Sequence, residues 1–196
     1  FENDDAQRIL NTIQISDGES GGTSQETMEF GMFVKLAFFT GARCEELAQL
    51  RASDLIYAHG HPCLHLHNKD GNTLKTTSSA RKLPLHAELI NSGVLEFMKS
   101  KLNEGPDTLL FNSIVSKSKD GRKGGAIGKR FERFLKKLGL KRRGLCLHSA
   151  RYNAKQAMTS SACNAQATDA YFGHWDRSSA GTYMSEKGGG FNTSSL

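Results

Sequence analysis

Along the chain, stretches whose apolar residues return every three or four positions flank a central section in which they return every second one. Ala6, Ile9, Leu10 and Ile13 give helical spacing over 5–13, and the Ser-, Gly- and acid-rich run 16–22 breaks it. Thr23 or Ser24 can cap the next helix, where Met28, Phe30, Met32, Phe33, Leu36, Ala37 and Phe39 form a stripe wide enough for a central core helix. Gly41 ends that helix, a shorter one over 45–50 turns Leu47 and Leu50 inward, and Ser53-Asp54 closes the unit. Segments 55–57, 63–67, 73–76 and 80–85, with turn signals at Asp70-Gly71 and Ser78-Ser79, predict a small antiparallel meander of three strands. The pairing of the last two segments stays open. Residues 88–102 predict one amphipathic helix, stopped by Asn103-Glu104-Gly105-Pro106. Leu109-Leu110-Phe111 reads as a buried extended stretch, 113–125 as a loop and 127–138 as a basic helix. From His148 onward, short helices are broken at Ser160-Ser161, Gly173-His174 and Gly188-Gly189-Gly190. The fold class expected is α+β, mainly helical, with one small three-stranded antiparallel sheet.

A chain of 196 residues buries one good core, so a single domain over 1–196 is expected, with a Gly-rich tail at 185–196. Phe1 is not an initiator methionine, and neither a basic n-region nor an apolar h-region follows it. The chain therefore reads as a piece of a longer protein, its missing part lying before it, with no secretory signal. No apolar run approaches the roughly 20 residues of a membrane span. Cys44, Cys63, Cys146 and Cys163 form no CxxC pair, which fits buried thiols of a reducing, intracellular compartment. The net charge of +6 is unevenly spread. The first thirty residues are acidic, whereas Lys117, Lys119, Arg122, Lys123, Lys129, Arg130, Arg133, Lys136, Lys137, Lys141, Arg142 and Arg143 crowd one region. A polyanion is the natural partner for that face, although charge runs also arise as plain solvated helix surface.

Several chemical groups recur in a definite order. Arg43 follows the Gly41 turn and opens a helix, where its guanidinium could take two phosphate oxygens at once and backbone amides also favour an anion. A lone arginine at such a place is more often a surface ion pair. Glu46, one helical turn on, can hold a guanidinium or an imidazole in place. His148 and Arg151 stand three apart and share a helical face. His174 follows a helix break at Gly173, and Tyr183 lies nine positions later. Tyr57 and Tyr171 read as core. Run 124–130 imitates a phosphate-binding loop, but Lys123 replaces its first glycine and Arg130 its magnesium-binding hydroxyl, which excludes a nucleoside triphosphatase. Cys63, His65 and His67 fall on one strand face, and three in-line residues seldom close a tetrahedral metal shell, so no metal is expected.

The ordered set Arg43, His148, Arg151, His174 and Tyr183 resembles the catalytic domain of the tyrosine recombinases, the phage integrase family, over about 23–183. The resemblance extends to Leu74-Lys75-Thr76 and the exit Arg81-Lys82-Leu83-Pro84-Leu85, which look like the family's β-hairpin with a mobile lysine. It implies site-specific strand cleavage and rejoining through a 3′-phosphotyrosine, with Tyr183 as nucleophile, Arg43 and Arg151 as the charge clamp, and His148 as proton acceptor beside His174. Lys75 is the implied general acid, with Lys69 and Lys82 as alternatives, and Glu46 has a supporting part. Where the family most often has a second histidine after HxxR, this chain has Tyr152. The implied partner is double-stranded DNA at recombination sites, contacted by Lys123, Lys129, Arg130, Arg133, Arg142 and Arg143, mostly at phosphates. The implied assembly is a homotetramer on DNA from monomers in solution, with DNA-bending proteins as candidate accessory factors, in a prokaryotic cytoplasm or nucleoid or a eukaryotic nucleus. No metal, ATP or other cofactor is implied. Relatives carry N-terminal DNA-binding domains, so this piece alone is expected to bind DNA weakly and with strong salt dependence. A type IB topoisomerase and a silent DNA-binding module of the same fold are the competing readings.

Overall fold

The computed structural model describes residues 1–15, 24–76, 79–116 and 122–174. Its centre is helix α2 (Ser24–Thr40), which packs against α1 (Asn3–Ile15), α3 (Cys44–Ala48), α4 (Ala87–Asn91) and α7 (Ser149–Ser160). Phe33, Val34 and Leu36 on α2 have no exposed surface, as an apolar stripe wrapping most of a helix requires. Gly41 stops α2 in the left-handed region, φ +59°, with its N–H bonded to Ala37 O at 3.0 Å. The basic helix α6 (Gly125–Lys137) buries Ile127, Phe131 and Leu135 at intervals of four, and α8 (Ala165–Phe172) closes the described chain. No helix among the described residues is long and apolar enough to cross a membrane.

The sheet is antiparallel, in the order β1 (Leu55–Ala58), β2 (His61–Leu66), β3 (Arg81–Pro84). A two-residue turn joins β1 to β2, with His59 at φ 49° and Gly60 at φ 80°, the pair of positive angles that suits the twist of a tight hairpin. Leu66 faces Arg81 in the next pair. Three strands were expected and three are present, but 73–76 is not one of them. The Gln49 side chain takes both backbone groups of Thr73, Nε2 to Thr73 O and Thr73 N to Oε1, each at 2.8 Å, while Leu74 N donates to Asn68 Oδ1 at 2.7 Å. With those groups satisfied by side chains, the segment has little left to offer a ladder.

Two further expectations are corrected. The helix expected over 88–102 is two, α4 and α5 (Val94–Glu104), because Gly93 adopts φ 81°, a conformation that interrupts a helix and costs glycine little. Tyr57 is not core: alternation turns it outward on β1, and it is 58% exposed. Leu109 forms a bridge with Arg51, while Leu110 and Phe111 are buried, in keeping with the extended stretch expected there.

Candidate active site

Arg43 sits at the N-cap of α3, in extended conformation with φ −68° and ψ 146°. Glu46, at the third helical position, reaches back to the Arg43 backbone N–H at 2.8 Å with Oε2 and accepts from Arg43 Nη1 at 2.6 Å with Oε1. A second guanidinium holds the same carboxylate: Arg81 of β3 donates from Nη2 to Oε2 at 2.9 Å and from Nη1 to Oε1 at 3.3 Å. Glu46 is buried between the two. Burial alone would raise its carboxyl, but the hydrogen bond and charge of Arg81, then the backbone and side-chain hydrogen bonds of Arg43, bring it below its ordinary value.

Arg151 lies on the first turn of α7 and is also buried. Its Nη1 donates to Gly41 O at 2.8 Å and its Nη2 to Phe172 O at 2.5 Å, so the carbonyl ends of α2 and α8 meet on one cation, as helix dipoles favour. The Phe172 ring lies 4.9 Å beneath the guanidinium carbon. His174 Nε2 is 3.1 Å from Arg151 Nη2. Since a guanidinium cannot accept, Nε2 is the acceptor and His174 is the neutral tautomer with its proton on Nδ1, which faces Asp169 Oδ1 at 4.0 Å.

Electrostatics tie these groups into one pocket. Burial, then the charge of Arg151, then that of Arg43 push His148 below its ordinary value. His174 is lowered by burial and by Arg151, Lys155 and Arg43, against the pull of Asp169. Arg151 itself is brought down to about 10 by burial and by Arg43 and Arg81, partly offset by Glu46. Segments 43–46, 148–151 and 174, far apart in sequence, thus share a cationic site whose imidazoles are held below their ordinary value. Tyr152, in the place of the second histidine, is 71% exposed with its ring edge-on to His148 at 5.7 Å. Tyr171 is raised to about 12 by burial and serves the site through its backbone carbonyl.

Lys75 is exposed on the loop between β2 and β3, not on a strand. The neighbouring Thr76 bonds Ser79 Oγ at 2.8 Å, and Ser79 Oγ lies 3.5 Å from Arg43 Nη1, so the loop is anchored at the pocket. Tyr183, the expected nucleophile, and the tail 185–196 lie outside the described residues. Among the expected DNA contacts, Lys129, Arg133, Arg142 and Arg143 are exposed. Arg130 is instead paired with Glu26 at 3.8 Å and stacked on Phe30, and Arg142 is paired with Asp5 at 2.6 Å and Glu2 at 3.4 Å. The acidic start of the chain therefore neutralises part of the basic region. Lys123 joins the site's support through its backbone: the Glu45 carboxylate accepts from Lys123 N at 2.6 Å and Gly124 N at 2.9 Å, docking the start of α6 onto α3. The histidine-rich strand resolves differently from its pattern. Cys63 is buried, and His67 lies beyond the end of β2, bonded to Asp54 at 2.7 Å.

The residue that sequence reasoning missed is Arg81. In sequence it stands as one more basic residue of the hairpin exit, yet 81, 83 and 85 share one side of the alternation, and Leu83 and Leu85 are buried. That parity turns Arg81 inward.

The Phage integrase family model matches residues 1–188, and the chain belongs to that family. No curated protein sequence matches it. Among solved structures, the fold is similar to the XerH site-specific recombinase bound to difH substrate in a pre-cleavage complex, with a TM-score of 0.64 and 19% identity over 90% of this chain and 47% of that one. It is also similar to the Tn1549 transposon integrase (residues 82–397) in complex with circular intermediate DNA, with a TM-score of 0.62 and 18% identity over 90% of this chain and 59% of that chain. XerA recombinase gives a TM-score of 0.59 and 16% identity over 94% of this chain and 58% of the other. The chain spans about half the length of XerH. The architecture is thus that of a tyrosine recombinase catalytic domain.

Proposed function

We propose that this chain is the catalytic part of a site-specific DNA recombinase, in which Tyr183 attacks a DNA phosphodiester to leave a 3′-phosphotyrosine and a free 5′ hydroxyl. The observation that carries this reading is the cluster in which Arg151 contacts His174 at 3.1 Å and Arg43 and Arg151 together lower both His148 and His174, two guanidiniums beside two imidazoles. A pentacoordinate phosphorane carries one more negative charge than the diester, and preformed cations that need no reorganisation stabilise that difference. A phenol with an ordinary pKa of about 10 is a weak nucleophile at neutral pH. His148 accepts its proton as attack proceeds, and His174 backs Arg151. Lys75 protonates the departing 5′ oxygen. The phosphotyrosine conserves the energy of the broken bond, so the reverse step needs only the 5′ hydroxyl of a second strand and no nucleotide. DNA as partner, exposed Lys129, Arg133 and Arg143 as phosphate contacts, and assembly of protomers on two sites belong to the same proposal.

The test is to incubate the full-length protein with a library of nicked duplexes of randomised sequence, recover DNA that resists denaturation from the protein, and offer a second duplex with a free 5′ hydroxyl. Covalent capture followed by transfer to the second duplex is the expected result. Capture with rejoining only to the original duplex would indicate a DNA-relaxing enzyme, and binding without capture a silent module.

A further inference from the structure

Arg81 makes more polar contacts than the site as described requires. Its side chain is 5% exposed, and each of its three nitrogens is engaged: Nε donates to Tyr171 O at 2.8 Å, Nη1 to Ser79 O at 2.8 Å and to Glu46, and Nη2 to Glu46. These partners belong to three different segments. Glu46 carries Arg43, Ser79 anchors the loop of Lys75, and Tyr171 stands at the end of α8, three residues before His174. Gly173 completes the joint, for a Cβ there would come within 3.2 Å of both Arg81 Nη1 and Ser79 Cα.

We propose that Arg81 is a positioning residue for strand cleavage, which neutralises Glu46 so that Arg43 keeps its charge for the phosphate, and which sets the Lys75 loop and the His174 turn in register with it. The inference rests on the recombinase reading above. A charge count gives the reason. Arg43, Arg81 and Arg151 against Glu46 leave a net charge of two positive in the pocket, matching a dianionic phosphorane. Without Arg81 the net falls to one, and Glu46, already 2.6 Å from Arg43, is left a buried carboxylate whose one direct ion pair among the described residues is Arg43. It then competes with the phosphate for Arg43. Lysine cannot replace this residue, because the contacts need a planar fork with donors in fixed directions.

The same nicked library and full-length protein test this. Arg81→Gln should lower the rate of covalent capture by about 10- to 100-fold with DNA affinity unchanged, since the side chain is buried. Arg81→Lys should recover only part of the loss. Adding Glu46→Gln to Arg81→Gln removes the unpaired carboxylate and should restore capture at least about tenfold over Arg81→Gln alone, a coupling that a mere packing role would not produce. If Arg81→Gln does not fold, the double variant is compared with Glu46→Gln, and the two should agree within about tenfold. Capture by Arg81→Gln within threefold of wild type, roughly the noise of such rates, overturns the inference and leaves the recombinase reading intact, as does a folded double variant with no recovery. Absence of capture by the wild-type protein overturns both.

Discussion

Replacing Gly41 with alanine strikes the joint that holds Arg151, and its cost can be worked from the structure. Gly41 has φ +59°, where an L side chain costs about 1–2 kcal/mol. The new Cβ would lie 2.5 Å from Phe172 Cε1 and 2.9 Å from the Ala154 Cβ. Neither neighbour is a flexible tip: Phe172 has no exposed surface, and Ala154 is fixed on α7. Overpacking of this kind adds about 1–3 kcal/mol, so the total is about 2–5 kcal/mol. For a domain of this size that is a fall of roughly 4–20 °C in Tm. The catalytic effect follows from the same atoms. Gly41 O and Phe172 O are the two carbonyls on Arg151, and the Phe172 ring lies beneath its guanidinium, so relieving the clash displaces the cation. A shift approaching 1 Å at a reacting group costs on the order of 100-fold in rate. Gly60→Ala is the control, since φ is +80° there but nothing lies within 4 Å of the added Cβ. It should cost about 1–2 kcal/mol and leave covalent capture unchanged. Chemical denaturation and capture rates, measured on both variants, provide the comparison. Equal stabilities for the two variants, or Gly41→Ala with wild-type capture, would refute the reasoning.

Arg151→Lys keeps a charge but loses the fork onto Gly41 O and Phe172 O, and capture should fall by about 100- to 1000-fold while DNA binding persists, as checked by a binding titration beside the capture assay. Lys75→Ala should be slow on an ordinary 5′ oxygen leaving group and recover on a 5′ sulfur, which leaves without a proton; no recovery would move the acid to Lys69 or Lys82. Because His148 and His174 are both held below 6.5, each binds a proton only in more acidic solution than a free imidazole does. The midpoint of the acid-side fall in capture rate should therefore lie below the ordinary imidazole value of about 6.5, and a midpoint above that value would contradict the assignment.

Where local pattern and tertiary context agree, the chain is legible. The α2 stripe, the i, i+4 spacing of Ile127, Phe131 and Leu135 on α6, and the Gly41 stop all follow from sequence and appear in the fold. The strand expected over 73–76 fails because Gln49, 24 positions away, takes the Thr73 backbone, and no local signal reports that. The helix expected over 88–102 divides because Gly93 takes φ 81°, which an apolar period running unbroken through 88–102 does not report. Charge was the least local property of all. Acidic and basic halves that look opposed in sequence are paired in space through Arg142 with Asp5 and Arg130 with Glu26. The contact of Arg43 with Glu46, one helical turn apart, was legible from spacing, whereas the roles of Arg43, Glu46, His148 and Arg151 came from the family resemblance. Arg81 was legible from neither, because its role depends on a carboxylate 35 positions away, although strand parity gave its direction.

The central claim concerns which oxygen becomes joined to phosphorus. DNA captured from the nicked library, digested together with the attached protein and sequenced by mass spectrometry, reports the modified residue directly. The account predicts a nucleotide on the peptide carrying Tyr183, and no adduct from Tyr183→Phe at undiminished DNA binding. An adduct on Tyr152 or any other residue, or one that survives in Tyr183→Phe, would contradict it.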